Sequence, residues 1–226
     1  MFKHKLTISD YLLILVNLIP IYGVWMEGWD PKMIFIVYCL ESVIIGLVNV
    51  LKMAIVTIFF KSKDEWNNNG VIKMVSGFFF IGFFIVHYGF FIFVQTQIFF
   101  GITGMSKSDE LLSSYSNLPA LLGKEGKLLL AIFILYYTLQ TFYSFFSTGQ
   151  YKTASLMKIM FEPYMRIFVQ QFIVILGSFF LIAGAGKMFI LVFAFVKIFS
   201  EVYVNFNRFL NIAERRHWNM EEKKKD

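Results

Sequence analysis

The stretch MIFIVYCLESVIIGLVNVLKMAIVTIFF, Met33 to Phe60, decides the fold class. It runs for 28 residues and carries two charges, Glu41 and Lys52. An uninterrupted apolar run of about 18 residues or more reads as a helix that crosses a bilayer, at ~1.5 Å of rise per residue. Backbone groups in hydrocarbon must bond within their own element, so the choice lies between helices and closed-barrel strands. Barrel strands alternate polar and apolar positions, and this stretch does not. A helix is therefore predicted.

Comparable blocks recur on either side. The spans are predicted at about 8–25, 33–60, 75–100, 128–146, 167–185 and 188–210. Pro20 should kink the first, and a Gly184-Ala185-Gly186 turn should fold the last two into a hairpin. The chain is 58% hydrophobic and 16% charged, with 29 Phe and a mean hydropathy of +0.64. Ordinary soluble domains are about 25% charged. The expected fold is all-α: a polytopic bundle of six transmembrane helices with one or two short interfacial helices. Residues 1–212 form one membrane domain, and 213–226 a charged cytoplasmic tail. The interfacial segments are Lys107 to Gly123 on the outer surface, with leucines at helical spacing and a break near Pro119, and Lys152 to Pro163 on the inner surface; packing of either onto the bundle is the alternative.

Lys and Arg set the orientation, because they accumulate in cytoplasmic loops. One side carries Lys3, Lys5, Lys61, Lys63, Lys73, Lys152, Lys158, Arg166, Arg208, Arg215, Arg216 and Lys223 to Lys225. The other carries Lys32, Lys107, Lys124, Lys127 and Lys187. Both chain ends are therefore expected in the cytoplasm of a cell whose inner membrane holds the protein. The net charge of +6 is read as this topological signal, with membrane lipids as partners and no nucleic acid. The lone Cys39 lies inside an apolar block and is read as packing.

Ionisable side chains inside spans are costly, on the order of 3 kcal/mol each near mid-bilayer, and mark functional candidates. At ~100° per residue, Lys52 lies about 20° around the second span from Glu41, with Asn49 on the same stripe. Lys197, Glu201, Asn205 and Arg208 make a stripe on the sixth span. Similar depth predicts a Glu41–Lys197 pair, with Lys52 and Glu201 pairing closer to the cytoplasm. His87, Gln95 and Gln97 lie on the third span, Arg166, Gln170 and Gln171 on the fifth, and Gln140, Thr141, Ser144 and Thr148 on the fourth. The candidate intramembrane polar core is Glu41, Asn49, Lys52, His87, Gln95, Arg166, Gln171, Lys197 and Glu201. Buried polar groups also glue helices together without chemistry, and that reading stands beside the functional one. No catalytic residue, metal ligand set or cofactor motif is assigned: His4 and His217 lie in the tails, and no phosphate loop, nucleophile elbow or dinucleotide fingerprint is present.

Several pieces resemble a family. They are Asn17-Leu18-Ile19-Pro20-Ile21-Tyr22-Gly23-Val24, then Leu40-Glu41-Ser42 through Asn49-Val50-Leu51-Lys52-Met53, His87-Tyr88-Gly89, Glu162-Pro163-Tyr164-Met165-Arg166, and the Lys197 to Glu201 spacing. Together they resemble DUF6498, a bacterial multi-pass membrane family without an assigned activity, from about Leu13 to Asn205. The resemblance implies extra histidines in several spans, where this chain carries Gln95, Thr141, Gln171 and Asn205. Of that set His87 remains, which lowers any metal hypothesis here. Three functions stay open: a channel or carrier for an ion or small polar solute, a membrane-embedded enzyme acting on a lipid or quinone through His87, and a non-enzymatic scaffold. Oligomeric state and substrate are left open.

Overall fold

The computed structural model describes residues 6–60, 64–68, 71–104, 118–153 and 155–203. Helix α1 spans Ile8–Met26 and α2 Pro31–Phe59. A two-stranded ribbon follows, β1 at Asp64–Asn68 and β2 at Val71–Val75. Then come α3 (Gly77–Thr103), α4 (Leu118–Leu121), α5 (Gly123–Ser147), α6 (Gln150–Thr153), α7 (Leu156–Phe161), α8 (Tyr164–Ile182) and α9 (Gly186–Ile198). A π-helical turn, Phe199–Tyr203, continues α9.

Local chemistry sets the starts and stops. Thr7 and Asp10 form a reciprocal capping box at α1, satisfying N–H groups that the first turn leaves unpaired. Asp30 caps α2 from the residue before Pro31, which occupies the first helical position, where its missing N–H costs nothing. Ser76 caps α3. Gly184, at φ +72°, turns the chain between α8 and α9, and the Ala185 N–H donates back to the Phe180 carbonyl at 2.8 Å.

Among the described residues, five helical stretches are long and apolar enough to cross a membrane: Ile8–Met26, Pro31–Phe59, Gly77–Gly101, Gly123–Ser147 and Leu156–Ile182. The sixth predicted block is described as α9 and its π turn; the rest of it lies outside the described residues. So do Asn205, Arg208, the tail 213–226 and most of the interfacial segment predicted at 107–123. Among the described residues the regular structure is helical apart from the ribbon, which the all-α expectation did not include. Asn68 pairs with Val71 there.

Helix α2 organises the bundle. It packs against α3, α5, α7 and α9, while α3 meets α8, α8 meets α9, α9 meets α1 and α1 meets α5. The elements α3, α8, α9, α1 and α5 thus follow one another in contact, with α2 packed against both ends of the series. Met33 through Cys39 are consecutively buried, which a helix achieves only when neighbours surround it. Phe35 stacks on Phe99 at 3.9 Å and Tyr38 on Phe193 at 4.1 Å. The outward faces are apolar too, with Leu15, Leu47, Phe90, Leu135, Phe172 and Phe195 exposed. A water-soluble bundle would carry charges there.

The segment 150–162 does not lie flat on a surface as one of the sequence readings had it. Leu156, Ile159 and Met160 are buried against α2 and α3, in a cluster with Met53, Val56, Phe80 and Phe84. Ser155 caps α7 and sets its entry into that cluster. The elbow α6–α7 is therefore part of the core.

Candidate functional site

Two charged centres lie along one face of α2, separated by 11 residues, or ~16 Å of helix rise. The first is built on Glu41, which is 1% exposed. Lys197 of α9, 7% exposed, forms an ion pair and hydrogen bond with it through Nζ and Oε2. Three aromatic rings surround that ammonium: Tyr38 at 4.7 Å, Phe133 at 4.8 Å and Tyr137 at 5.8 Å from Nζ to ring centroid. Tyr38 comes from α2, and Phe133 and Tyr137 from α5, one turn apart.

Glu201, in the π turn, continues the cluster. Its Oε2 accepts from the Tyr137 hydroxyl at 3.3 Å and lies 3.7 Å from Arg166 Nη1 of α8. The Arg166 guanidinium also stands over the Tyr137 ring at 5.7 Å. Two carboxylates and two cations thus balance to zero net charge. Balance matters, because an uncompensated ion in a low-dielectric interior costs several kcal/mol.

The second centre is Lys52, 3% exposed, paired with Glu162 at the end of the α7 elbow. Gln150 of α6 donates to the other Glu162 oxygen at 2.6 Å. One helical turn earlier on α2, Asn49 donates to the Ile159 carbonyl at 3.0 Å. Charge and amide together clamp the elbow to α2.

The expected Lys52–Glu201 pair does not form. Counted from the Glu41–Lys197 contact, Lys52 lies 11 residues further along its helix and Glu201 only four along its own. At ~1.5 Å per residue, their depths differ by about 10 Å. Each therefore takes a nearer partner. His87 also stays outside the polar core. Its ring is exposed on the outer face of α3, stacked on Phe83 at 5.1 Å, with Nδ1 2.9 Å from the Tyr164 hydroxyl. Gln95 and Gln171 meet each other at 3.4 Å, and Gln171 also donates to the Phe91 carbonyl at 2.9 Å. They tie α3 to α8 rather than joining the charges.

Four residues outside the predicted set hold the site together. Glu162 is the partner of Lys52, and its sequence signal was an acid beside Pro163 at a helix boundary. Gln170 lies one turn beyond Arg166; it accepts from Ser42 Oγ at 2.6 Å and donates to the Tyr38 carbonyl at 2.6 Å. Tyr38 and Tyr137 supply cage walls; both are neutral residues within apolar runs, so a search for ionisable groups inside spans passes over them.

The lower clamp yields a direct expectation. Glu162→Gln leaves the buried Lys52 ammonium with only neutral partners and should cost about 1–3 kcal/mol. Limited proteolysis should then cut faster within 150–162. Unchanged stability and cleavage would mean that the pair contributes nothing to holding the elbow.

The model of a family of unknown function, DUF6498, matches residues 1–224. No curated protein and no solved structure matches the chain.

Proposed function

The chain belongs to the DUF6498 family, and from its buried charges we propose that it is a carrier or channel for an ion or small polar solute, gated by the Glu41–Lys197 cluster. In this reading the chain spans the inner membrane six times, with α9 and its π turn as part of the sixth span. Both chain ends lie in the cytoplasm, on the lysine- and arginine-rich side, and the exposed Leu and Phe faces meet acyl chains. Residues 213–226 form the charged tail.

One observation carries the proposal: four ionised groups on three helices and a π turn converge around Tyr137 in an otherwise apolar interior. Fixing helix register needs one polar pair at most, and apolar replacements of buried ion pairs are often as stable. A larger cluster of exchangeable partners suits a site whose pairs open and re-form as a solute passes. The π turn supports this, because such turns concentrate at functional positions and hold an extra residue that can shift.

Reconstituted vesicles test it. Wild-type protein should raise permeability to at least one member of a panel of monovalent ions above protein-free vesicles. Lys197→Met should change that permeability by about tenfold or more while the protein stays monodisperse. No permeability above empty vesicles for any ion, or a Lys197→Met variant identical to wild type, would overturn the reading.

A scaffold whose charges only lock the helices is the second reading. It is favoured by the pairing of Glu41, Lys197, Arg166, Glu201, Lys52 and Glu162 with one another. It predicts that charge removal lowers stability and leaves permeability at the background value.

A further inference from the structure

Lys197 ends in a cage built like a receptor for an ammonium ion. Three ring faces lie within 6 Å of Nζ, the arrangement by which proteins hold alkylammonium ligands. Glu41 supplies the counter-charge, and the enclosed Tyr38 hydroxyl has no hydrogen-bond partner. A buried hydroxyl without a partner is uncommon and calls for an explanation. The present occupant of the cage is the protein's own side chain.

We propose that this cage is a binding site for a small primary ammonium ion, ammonium itself or a short alkylammonium, which takes the place of the Lys197 head. The assignment names the solute class of the carrier site above and rests on that reading. Charge conservation sets the stoichiometry. With Lys197 withdrawn, Glu41 and Glu201 face Arg166 alone, and one monovalent cation restores neutrality. Hydrogen bonding favours an ammonium over a bare metal cation, since N–H groups match a carboxylate and a free hydroxyl oxygen, and ring faces make poor ligands for a metal that wants several oxygens. A free ammonium ion also carries one N–H more than a lysine head and, having no stem, is free to settle closer to the unpartnered Tyr38 hydroxyl than the Lys197 head does.

The fold gives Lys197 a way out. The π turn begins two residues after it, and Ser200 Oγ donates to the Lys197 carbonyl at 2.9 Å, outside the α-helical ladder. Migration of that turn back past Lys197 would rotate the side chain by ~100° about the helix axis.

Methylammonium chloride, added to the purified full chain in detergent, is the probe, with potassium chloride and tetramethylammonium chloride at equal ionic strength as controls. In Lys197→Met, which lacks the tethered competitor, methylammonium should raise the unfolding midpoint saturably, at concentrations about tenfold or more below those wild type needs. The controls should do neither, and adding Glu41→Gln should abolish the effect. Phe133→Leu keeps an apolar wall but removes one ring face. Titrated against wild type, it should weaken methylammonium binding about fivefold, which keeps the proposal testable even if Lys197→Met does not fold. Equal effects from tetramethylammonium or potassium, no saturable binding, or an unchanged affinity in Phe133→Leu would overturn it. Methylammonium binding without flux would overturn the carrier reading and leave the cage. Flux of another ion without methylammonium binding would overturn the cage alone.

Discussion

Removing one member of the Glu41–Lys197 pair is expected to lower folding stability by about 3–5 kcal/mol, the range for stranding a buried charge. Lys197→Met leaves the Glu41 carboxylate, 1% exposed, with no cation of its own. Glu41→Gln leaves the ammonium to three ring faces, which compensate part of the loss. Lys197→Met is therefore the more damaging of the two. Arg166→Met should cost less than either, because its side chain is 29% exposed and its ion-pair distance is 3.7 Å. Unfolding in mixed detergent, followed by circular dichroism, gives the order. A loss below about 1 kcal/mol for Lys197→Met would place that lysine in a solvated setting rather than a dry one.

The second large effect concerns the α8–α9 hairpin. A Cβ built on Gly177 of α8 would lie 1.7 Å from Phe189 Cε2 and 2.1 Å from its Cζ. Phe189 cannot simply turn aside. It is buried, with ring centroids of Phe35 and Phe193 at 5.6 and 5.7 Å. Overpacking a filled core costs about 1–3 kcal/mol, and an overlap this deep belongs at or beyond the top of that range. Gly177→Ala should therefore separate α8 from α9, and Gly177→Val should give no folded protein. Gly82→Ala on α3 is the control. No atom lies within 4 Å of its added methyl, so relief of helix-glycine entropy should make it neutral or stabilising, by up to about 1 kcal/mol. Size-exclusion profiles and unfolding midpoints of the purified variants distinguish the two. Gly177→Ala as stable as Gly82→Ala would rule out the close helix contact.

The helices were legible because apolar length is a one-dimensional signal. The predicted block 33–60 is α2 at Pro31–Phe59, and the predicted 75–100 is α3 at Gly77–Thr103. The start of α5 at Gly123 was missed by five residues, since Gly123 to Lys127 are polar and small and carry no apolar signal. The Glu41–Lys197 contact could be anticipated because both residues enter their helices from the same side at the same depth. The partner of Lys52 could not. Glu162 sits in a segment whose apolar side chains, Leu156, Ile159 and Met160, serve equally well for a surface or a core, and only tertiary packing decides between them. Glu201 was misplaced for a different reason. It lies only four residues past Lys197, while Lys52 lies 11 past Glu41, so the two stand about 10 Å apart in depth, which matching of stripes alone did not weigh. His87 shows the converse, a polar residue on an apolar helix that faces outward beside Tyr164 rather than inward. Periodicity alone does not say which side of an all-apolar helix is the inside.

Helices α2 and α9 meet through a buried charge pair, Glu41 with Lys197. A double-mutant cycle on Glu41→Gln and Lys197→Met measures that contact directly. The structure predicts that the double variant is more stable than the sum of the two single losses allows, with a coupling of about 2–3 kcal/mol, because neutralising both ends strands neither. Strict additivity of the two losses would contradict it.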